Sequence, residues 1–581
     1  MSVEKLITDN LDIWTSAIKK KSASGRGSSN KFELYGIKKL RELILELAVR
    51  GNLVPQDTND EPADMLLERI AVEKEQLIKE KEIKKQKALP PIPDAEIPFK
   101  LPLGWKWARL QDIGRDWGQK QPDVDFSYID VASINKSLGV IREPSVMSSQ
   151  DAPSRARKIV KPGTVIYSTV RPYLLNIAVV DREFEPVPIA STAFAIIAPL
   201  GGILSSFVYR YLRSPVFVKY VESVQTGVAY PAINDKQFFS GVIPIPPLEE
   251  QKRIVAKVDE LMALCDQLES QTEASIEAHQ ALVKTLLGTL TNAKDSYELS
   301  ESWQRISEYF DVLFTTEDSI DQLKQTILQL AVMGKLVKQD PNDEPASRLL
   351  ERIAAEKEQL IKDKKIKKQK PLPPIPDEEK PFEVPGGWDW CRGEMVAEFI
   401  DPQPSHRTPP VVTGGVPYVG YTDIDISSGI NFESARKVSP SVLIEHRKRY
   451  TLNLGDFVFG KIGTLGKPFF LSEPFDYCLS ANLILIQPNQ NAVVPQFLAT
   501  FLNSPVLYQI LDDQKTNSTH GVFGIKKARL LTVPLPPINE QKRIVVKVET
   551  LMTLCDTLKG RLKDEKTIQL HLTDAIAERV S

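Results

Sequence analysis

The chain has 581 residues, 42% of them hydrophobic and 26% charged, with a formal net charge of -2. That length exceeds one ordinary domain and implies several folded units. No window approaches the run of about 18 apolar residues that a membrane-spanning helix needs. The near-neutral balance excludes a uniformly basic nucleic-acid binder, so contact with a polyanion must come from local clusters.

Cys265, Cys391, Cys478 and Cys555 lie far apart, which excludes a disulfide framework and a Cys-x-x-Cys zinc ribbon. The stretch Met1-Ser2-Val3-Glu4-Lys5 has no basic region leading into an apolar segment, so a cytoplasmic protein is expected. Gly25-Arg26-Gly27-Ser28-Ser29 lacks the third glycine and preceding strand of a dinucleotide fingerprint and reads as a polar loop. The role of residues 1–36 is left open.

From Ile37 the text is written twice. Residues 37–107 match 320–390 without gaps at 49 of 71 positions, an internal repeat beyond chance. The heads are helical: in the first copy Pro62 lies near a helix start behind Asp60, and Leu66, Leu67, Ile70, Leu77 and Ile78 supply an apolar side. Lysine-rich runs follow at 79–87 and 362–370, read as solvated helix faces rather than phosphate contacts. The proline segments beyond them, Leu89-Pro90-Pro91-Ile92-Pro93 and Leu372-Pro373-Pro374-Ile375-Pro376, read as stiff connectors, with docking to a proline-binding domain as the weaker alternative. Each copy closes on Gly-Trp-x-Trp, at Trp105 and Trp107 and at Trp388 and Trp390.

The two middles, 108–243 and 391–533, diverge but share a skeleton in which Tyr211-Leu212-Arg213-Ser214-Pro215-Val216 parallels Phe501-Leu502-Asn503-Ser504-Pro505-Val506. Strand-like runs with short helices predict α+β domains. Four pairs of polar segments are candidate DNA contacts. Arg155, Arg157 and Lys158, with Lys161 behind them, stand where Arg447, Lys448 and Arg449 stand in the second copy, and such clusters suit phosphate or guanine. Ser168, Thr169, Arg171 and Tyr173, and in the second copy Lys461, Thr464 and Lys467, follow matching strands and form candidate recognition loops. Tyr128, Ser133 and Asn135 correspond to Tyr418, Tyr421 and Thr422. A last patch holds Thr226, Tyr230, Asn234 and Lys236, against His520, Lys526 and Lys527. Solvated loops are the plainer reading of any one of these residues.

Each middle ends in prolines, Pro244, Pro246 and Pro247 and then Pro534, Pro536 and Pro537, expected to mark boundaries that neither strand nor helix crosses. Beyond them Ile254, Val258, Leu261, Cys265 and Leu268, and again Ile544, Val548, Leu551, Cys555, Leu558 and Leu562, alternate at four and three, a heptad seam. The first such helix spans about residues 249–290, on the order of 60 Å long. Two such helices are expected to pack as a rigid spacer, with both cysteines as small core residues.

Searches for chemistry fail. Gly460 precedes Gly466-Lys467 by one residue too many for a phosphate loop, and Pro468 takes the hydroxyl position. No Asn-Pro-Pro or Asp-Pro-Pro followed by an aromatic occurs. Pro376-Asp377-Glu378-Glu379-Lys380 resembles part of a nuclease carboxylate set, but lies in a proline linker whose counterpart at Asp94 lacks the lysine. His279, His406, His446, His520 and His571 are too scattered for a metal site. No catalytic residue and no metal site are assigned.

The pattern resembles type I restriction-modification specificity subunits, whose two variable target-recognition domains each end in Pro-x-Pro-Pro-x-x-Glu-Gln-x-x-Ile and lead into a long helix. Here that signature spans residues 244–254 and 534–544. The long heads, with lysine-rich helix and proline linker, look like one subgroup. The resemblance implies an α+β fold with two target-recognition domains in pseudo-two-fold arrangement, separated by long antiparallel coiled-coil helices. The expected layout is a head with proline linker at 1–107, recognition domains at 108–243 and 391–533, a central region at 244–390 with its second head at 303–370, and a C-terminal spacer helix at 534–581. It further implies a non-catalytic chain that binds a bipartite site on double-stranded DNA, docks two methylation subunits on its helices and joins two restriction motor subunits. S-adenosylmethionine, ATP and Mg would belong to those partners, with no cofactor in this chain. A self-sufficient methyltransferase or nuclease, and a coiled-coil scaffold without a DNA role, are the alternatives.

Overall fold

The computed structural model describes residues 3–20, 32–85, 87–364, 371–405, 407–460, 467–513 and 524–580. The chain divides into two compact units, Met1–Ile276 with Glu565–Ser581, and Glu277–Asp564. The first unit is discontinuous in sequence and the second continuous, and both long helices are divided between them.

In the first unit helix α1 (Tyr35–Val49) buries Ile37, Leu40, Ile44, Leu47 and Ala48, a three-and-four spacing that presents one apolar face. Gly51 stops it at a φ of 74°, where a side chain would strain the backbone and meet the Pro102 ring. Helix α2 (Ala63–Lys79) starts directly after Pro62 and buries Leu66 and Ile70. The proline segment is tied down rather than free. Arg109, almost fully buried, donates to Glu96 at 2.5 Å, to the Ser240 carbonyl at 2.7 Å and to the Pro90 carbonyl at 3.4 Å.

The middle domain opens with β1 (Lys106–Arg109). Its first sheet has the order β7-β6-β9-β2, where β2 is Gly114–Arg115, β6 Val165–Ser168, β7 Ile177–Val179 and β9 Phe194–Pro199. A second sheet has the order β4-β3-β8-β5, with β3 (Phe126–Ile129), β4 (Ser145–Met147), β5 (Ala156–Ile159) and β8 (Pro188–Ser191), β3 and β8 running parallel. Helices α3 (Ser205–Arg213), α4 (Pro215–Val224) and α5 (Asp235–Ser240) precede β10 (Val242–Ile245), which pairs antiparallel with β1 and clasps the domain shut. Pro244 therefore lies inside a strand, opposite Trp107, which corrects the expectation that these prolines exclude one. The clasp has only two strands, so a missing N–H on an outer edge leaves no ladder bond unmade.

Helix α6 (Leu248–Asn292) follows. Ile254, Val258, Leu261 and Cys265 on its seam are buried, with Leu268 partly so, in one core with α1 and the middle domain. Arg41 of α1 reaches Asp266 and Glu269 of α6, both at 2.6 Å. The head thus also covers the seam that the heptads assign to helix pairing and partner docking.

The second unit repeats the frame. Helices α7 (Glu317–Val332) and α8 (Ala346–Lys362) form its head, and Gly334 with Pro385 repeats Gly51 with Pro102. Strand β11 (Asp389–Arg392) opens the domain, and one sheet has the order β12-β18-β15-β16, with β12 (Ala397–Ile400), β15 (Phe457–Gly460), β16 (Phe469–Phe470) and β18 (Leu483–Pro488). The other has three strands, β14-β13-β17, with β13 (Val416–Val419), β14 (Arg436–Val438) and β17 (Cys478–Leu479). Where the first domain adds β5, the second has helix α9 (Pro440–Arg447).

Helices α10 (Pro495–Leu502), α11 (Pro505–Asp513) and α12 (Ile525–Arg529) lead to β19 (Thr532–Leu535), which pairs with β11. Pro534 is in that strand as well, opposite Trp390. Helix α13 (Ile538–Val580) closes the chain. Ile544, Val548 and Cys555 are buried, and Leu551, Leu558 and Leu562 partly buried, in one core with Ile320, Leu323 and Ile327 of α7 and Val283, Leu287 and Leu290 of α6. Glu379, from the nuclease-like fragment, is held by buried Arg392 at 2.5 Å and Thr532 at 3.2 Å. The Arg392 guanidinium keeps its carboxyl below the usual range, so its role is structural.

Candidate nucleic-acid interface

In the first domain two of the expected segments meet. The loop after β6 and the turn before α5 are zipped by Val170 opposite Ala232 and Thr226 opposite Ala232. Arg171 adopts a left-handed backbone at a φ of 49°, its N–H donates to the Pro231 carbonyl at 2.8 Å, and its guanidinium lies 4.7 Å from the Tyr230 ring centre. Such a stack leaves guanidinium edges available for hydrogen bonding. Tyr173, Val228 and Tyr230 are exposed beside it, and Thr226 and Lys236 are exposed too. Val228 was not singled out from sequence, and only its complete exposure marks it.

Other expected contacts build the loop instead of presenting it. Ser168 and Thr169 are buried, their hydroxyls donating to the Val170 and Ala193 carbonyls, each at 2.9 Å. Asn234 caps α5, accepting from the Gln237 N–H at 2.9 Å. Lys158 is buried between Asp116 at 2.8 Å and Asp235 at 3.0 Å. Burial works against its charge, but the two carboxylates outweigh it and hold the ammonium above its ordinary range. It is a strut between β5 and α5. Arg155 and Lys161 are exposed and Arg157 half-buried. Ser133 closes a capping box with Asp130, and the Asn135 side chain accepts from the Ser137 and Leu138 N–H groups. That turn is held against α3 through Arg213 and the Lys136 carbonyl at 2.8 Å. Tyr128 is half-buried on β3, edge-on to Phe126.

The second domain brings Tyr421 to the loop after β15, its hydroxyl accepting from the Lys467 N–H at 2.8 Å. Thr422 and Lys467 are exposed, as are Lys526 and Lys527 on α12, whereas Tyr418 is buried. Lys461, Thr464 and His520 lie outside the described residues, as do His406 and the polar stretch 25–29. The second basic cluster sits at the end of helix α9, where Arg447 pairs with Asp476 at 2.7 Å, Arg449 donates to the Pro402 carbonyl at 2.7 Å, and Lys448 is exposed. Its supposed equivalent in the first domain lies on and just before strand β5. The two clusters match in order along the chain but not in local structure.

His446 of α9 is buried, with Nε2 at 2.7 Å from Gln403 Oε1 and Nδ1 at 2.8 Å from the Tyr450 hydroxyl. The amide oxygen only accepts, so Nε2 carries the proton and Nδ1 accepts from Tyr450. Burial, reinforced by the Arg449 charge, pushes its pKa down to about 4. The ring borders a cavity of about 260 Å³ lined also by Leu443, Tyr450, Phe475 and Tyr477. Sequence spacing gave no sign of it.

The duplicated Glu-Gln-Lys-Arg run proves to be a latch. Glu250 accepts from the Trp105 indole at 2.9 Å and from Gln56 at 3.2 Å, and Arg253 pairs with Asp60 at 2.6 Å. Gln251 accepts from the Leu204 N–H at 3.0 Å and donates to the Pro246 carbonyl at 3.0 Å. Glu540 with Gln339, Arg543 with Asp343, and Gln541 with Val494 and Pro536 repeat these contacts. One turn of helix thereby joins head, middle domain and tail.

The family model for the type I restriction modification DNA specificity domain matches residues 117–278 and 413–565. The specificity subunit of the type I restriction enzyme EcoAI from Escherichia coli is 42% identical over 591 residues, covering 100% of this chain and 99% of that one. The chain belongs to the type I restriction-modification specificity family. The EcoEI specificity subunit, also from Escherichia coli, is 40% identical over 593 residues, again covering 100% of this chain and 99% of the relative. Among solved structures, the HsdS subunit from Thermoanaerobacter tengcongensis shares 23% identity with a TM-score of 0.44, covering 84% of this chain and 98% of that one. Members of this family are specificity rather than catalytic subunits. No described helix is long and apolar enough to cross a membrane.

Proposed function

We propose that this chain directs a type I restriction-modification complex to a bipartite, asymmetric DNA site, with 108–243 reading one half and 391–533 the other. The observation that carries this reading is one sheet frame built twice with different peripheral elements. β7-β6-β9-β2 and β16-β15-β18-β12 have the same order, while β5 in one domain is replaced by α9 in the other. Equal frames give equal docking geometry, and unequal loops give different base contacts. In the first half the presented groups are Arg171, Tyr173, Thr226, Tyr230 and Lys236, with Arg155 and Arg157 for phosphates. In the second they are Tyr421, Thr422, Lys448, Lys467, Lys526 and Lys527, while Lys461, Thr464 and His520, outside the described residues, are proposed from the sequence alone.

The long helices set the distance between half-sites and dock two methylation subunits, with two motor subunits completing the restriction complex. S-adenosylmethionine, ATP and Mg act in those partners. Most of the seam is buried, so docking draws on its partly exposed members Leu268, Leu551, Leu558 and Leu562 and on exposed apolar residues such as Leu282 of α6 and Val546, Leu554, Ile568 and Leu572 of α13.

Replacing 108–243 by the corresponding domain of a relative tests the reading. The methylated motif in host DNA is expected to change in one half and keep the other half and the gap. A motif changed in both halves, or methylation by the purified chain alone, overturns it.

A further inference from the structure

The lysine run that ends the first head has a fixed place on the middle domain. Arg115 donates to Glu82 at 3.1 Å and Gln111 donates to the Lys87 carbonyl at 3.1 Å, so the run is pinned near its middle and at its end. Arg115 also stacks 3.8 Å from the centre of the Trp117 indole, and Lys161 Nζ lies 4.3 Å from the same ring. The indole is itself fixed by its N–H donating to the Thr164 hydroxyl at 2.9 Å. Lys79, Lys81, Lys84, Lys85, Lys87 and Lys161 are all exposed, against only Glu80 and Glu82 within the run.

This concentration of charge is continuous with the recognition face. From Trp117 the backbone passes along β5, where Ile159 donates to the Gly118 carbonyl at 3.1 Å and Lys120 to the Arg157 carbonyl at 2.8 Å. Lysines 84, 85 and 87, Arg115, Lys161, Lys120 and Arg157 thus follow one another across the surface of the first unit. A row of ammonium and guanidinium groups with few base-reading side chains matches a phosphate backbone, not base edges.

We propose that Lys79, Lys81, Lys84, Lys85 and Lys87, with Arg115 and Lys161, form a sequence-independent track for duplex DNA phosphates flanking the half-site of the first domain. This rests on the DNA-reading function above.

The test uses the complex assembled with its methylation subunits and a duplex carrying the motif methylated in the host. Binding is measured against salt for the parent, for K84Q/K85Q/K87Q and for K84R/K85R/K87R. The glutamine variant is expected to lower the magnitude of the log–log salt slope by about 2 to 3, at roughly 0.9 per phosphate contact, with the preferred sequence unchanged. The arginine variant keeps the parental slope. An unchanged slope in the glutamine variant overturns the track, and weaker subunit assembly with that unchanged slope assigns the lysines to an acidic protein surface. A parent that does not prefer its own motif overturns the recognition reading and the track with it, which separates the two failures.

Discussion

The Trp105 indole nitrogen donates to Glu250 Oε2 at 2.9 Å, fastening the last residues of the first head to the opening turn of α6. The Glu250 carboxyl is buried there, and that burial raises its pKa despite the bonds from Trp105 and Gln56. Removing it by Glu250→Ala leaves a buried indole N–H and an amide without an acceptor. A loss of about 1–3 kcal/mol is expected, read as a lower urea midpoint. A midpoint equal to the parent's would show that the latch contributes nothing to stability.

Lys158 and Arg171 separate scaffold from reader. Lys158→Ala strands Asp116 beside the partly exposed Asp235 and is expected to lower the melting temperature by several degrees. Arg171→Ala removes a half-exposed guanidinium stacked on Tyr230 and is expected to weaken binding to the cognate duplex by about 1–3 kcal/mol at unchanged melting temperature. Reversed phenotypes would exchange their roles.

The end of α13 belongs to the first unit, where Asp574 accepts from the Tyr35 hydroxyl at 2.6 Å and Ile576 packs on the core. Deleting residues 565–581 is therefore expected to increase hydrogen exchange in α1 while α7 stays protected. Equal exchange in both would show that this segment is dispensable for the first unit.

His446 gives a pH signature. Its folded pKa, about 4, lies below the ordinary 6.5, so the unfolded chain binds the proton first as pH falls. Stability contributed by the neutral ring is fully present above pH 6.5 and is lost as pH falls from there toward 4, at a limiting slope of about 1.4 kcal/mol per pH unit. Urea midpoints of the parent and His446→Gln between pH 4.5 and 7 should diverge accordingly. Parallel curves would place the proton elsewhere.

Much of the architecture was legible because it is written in local patterns. The repeat was visible as identity, α6 and α13 as heptads, and the latch as a duplicated motif, although its contacts with Asp60 and Trp105 were not. The candidate interface was legible only in part. Residue type made Lys158, Ser168, Thr169 and Tyr418 look like Arg171 and Tyr421, and burial separates them. His446 and Val228 had no sequence signal, since neither spacing nor composition reports what surrounds a side chain.

By itself the sequence determined a duplicated α+β chain with two divergent middles and two long helices, because periodicity and identity depend on neighbours along the chain. Only the tertiary structure decided that the heads cover the helix seams, that both long helices are divided between the units, that prolines 244 and 534 sit within clasping strands, and which polar groups face solvent. Those outcomes depend on which surfaces meet. A buried ammonium between two carboxylates and an exposed guanidinium on a tyrosine are both only basic residues until the fold supplies their neighbours.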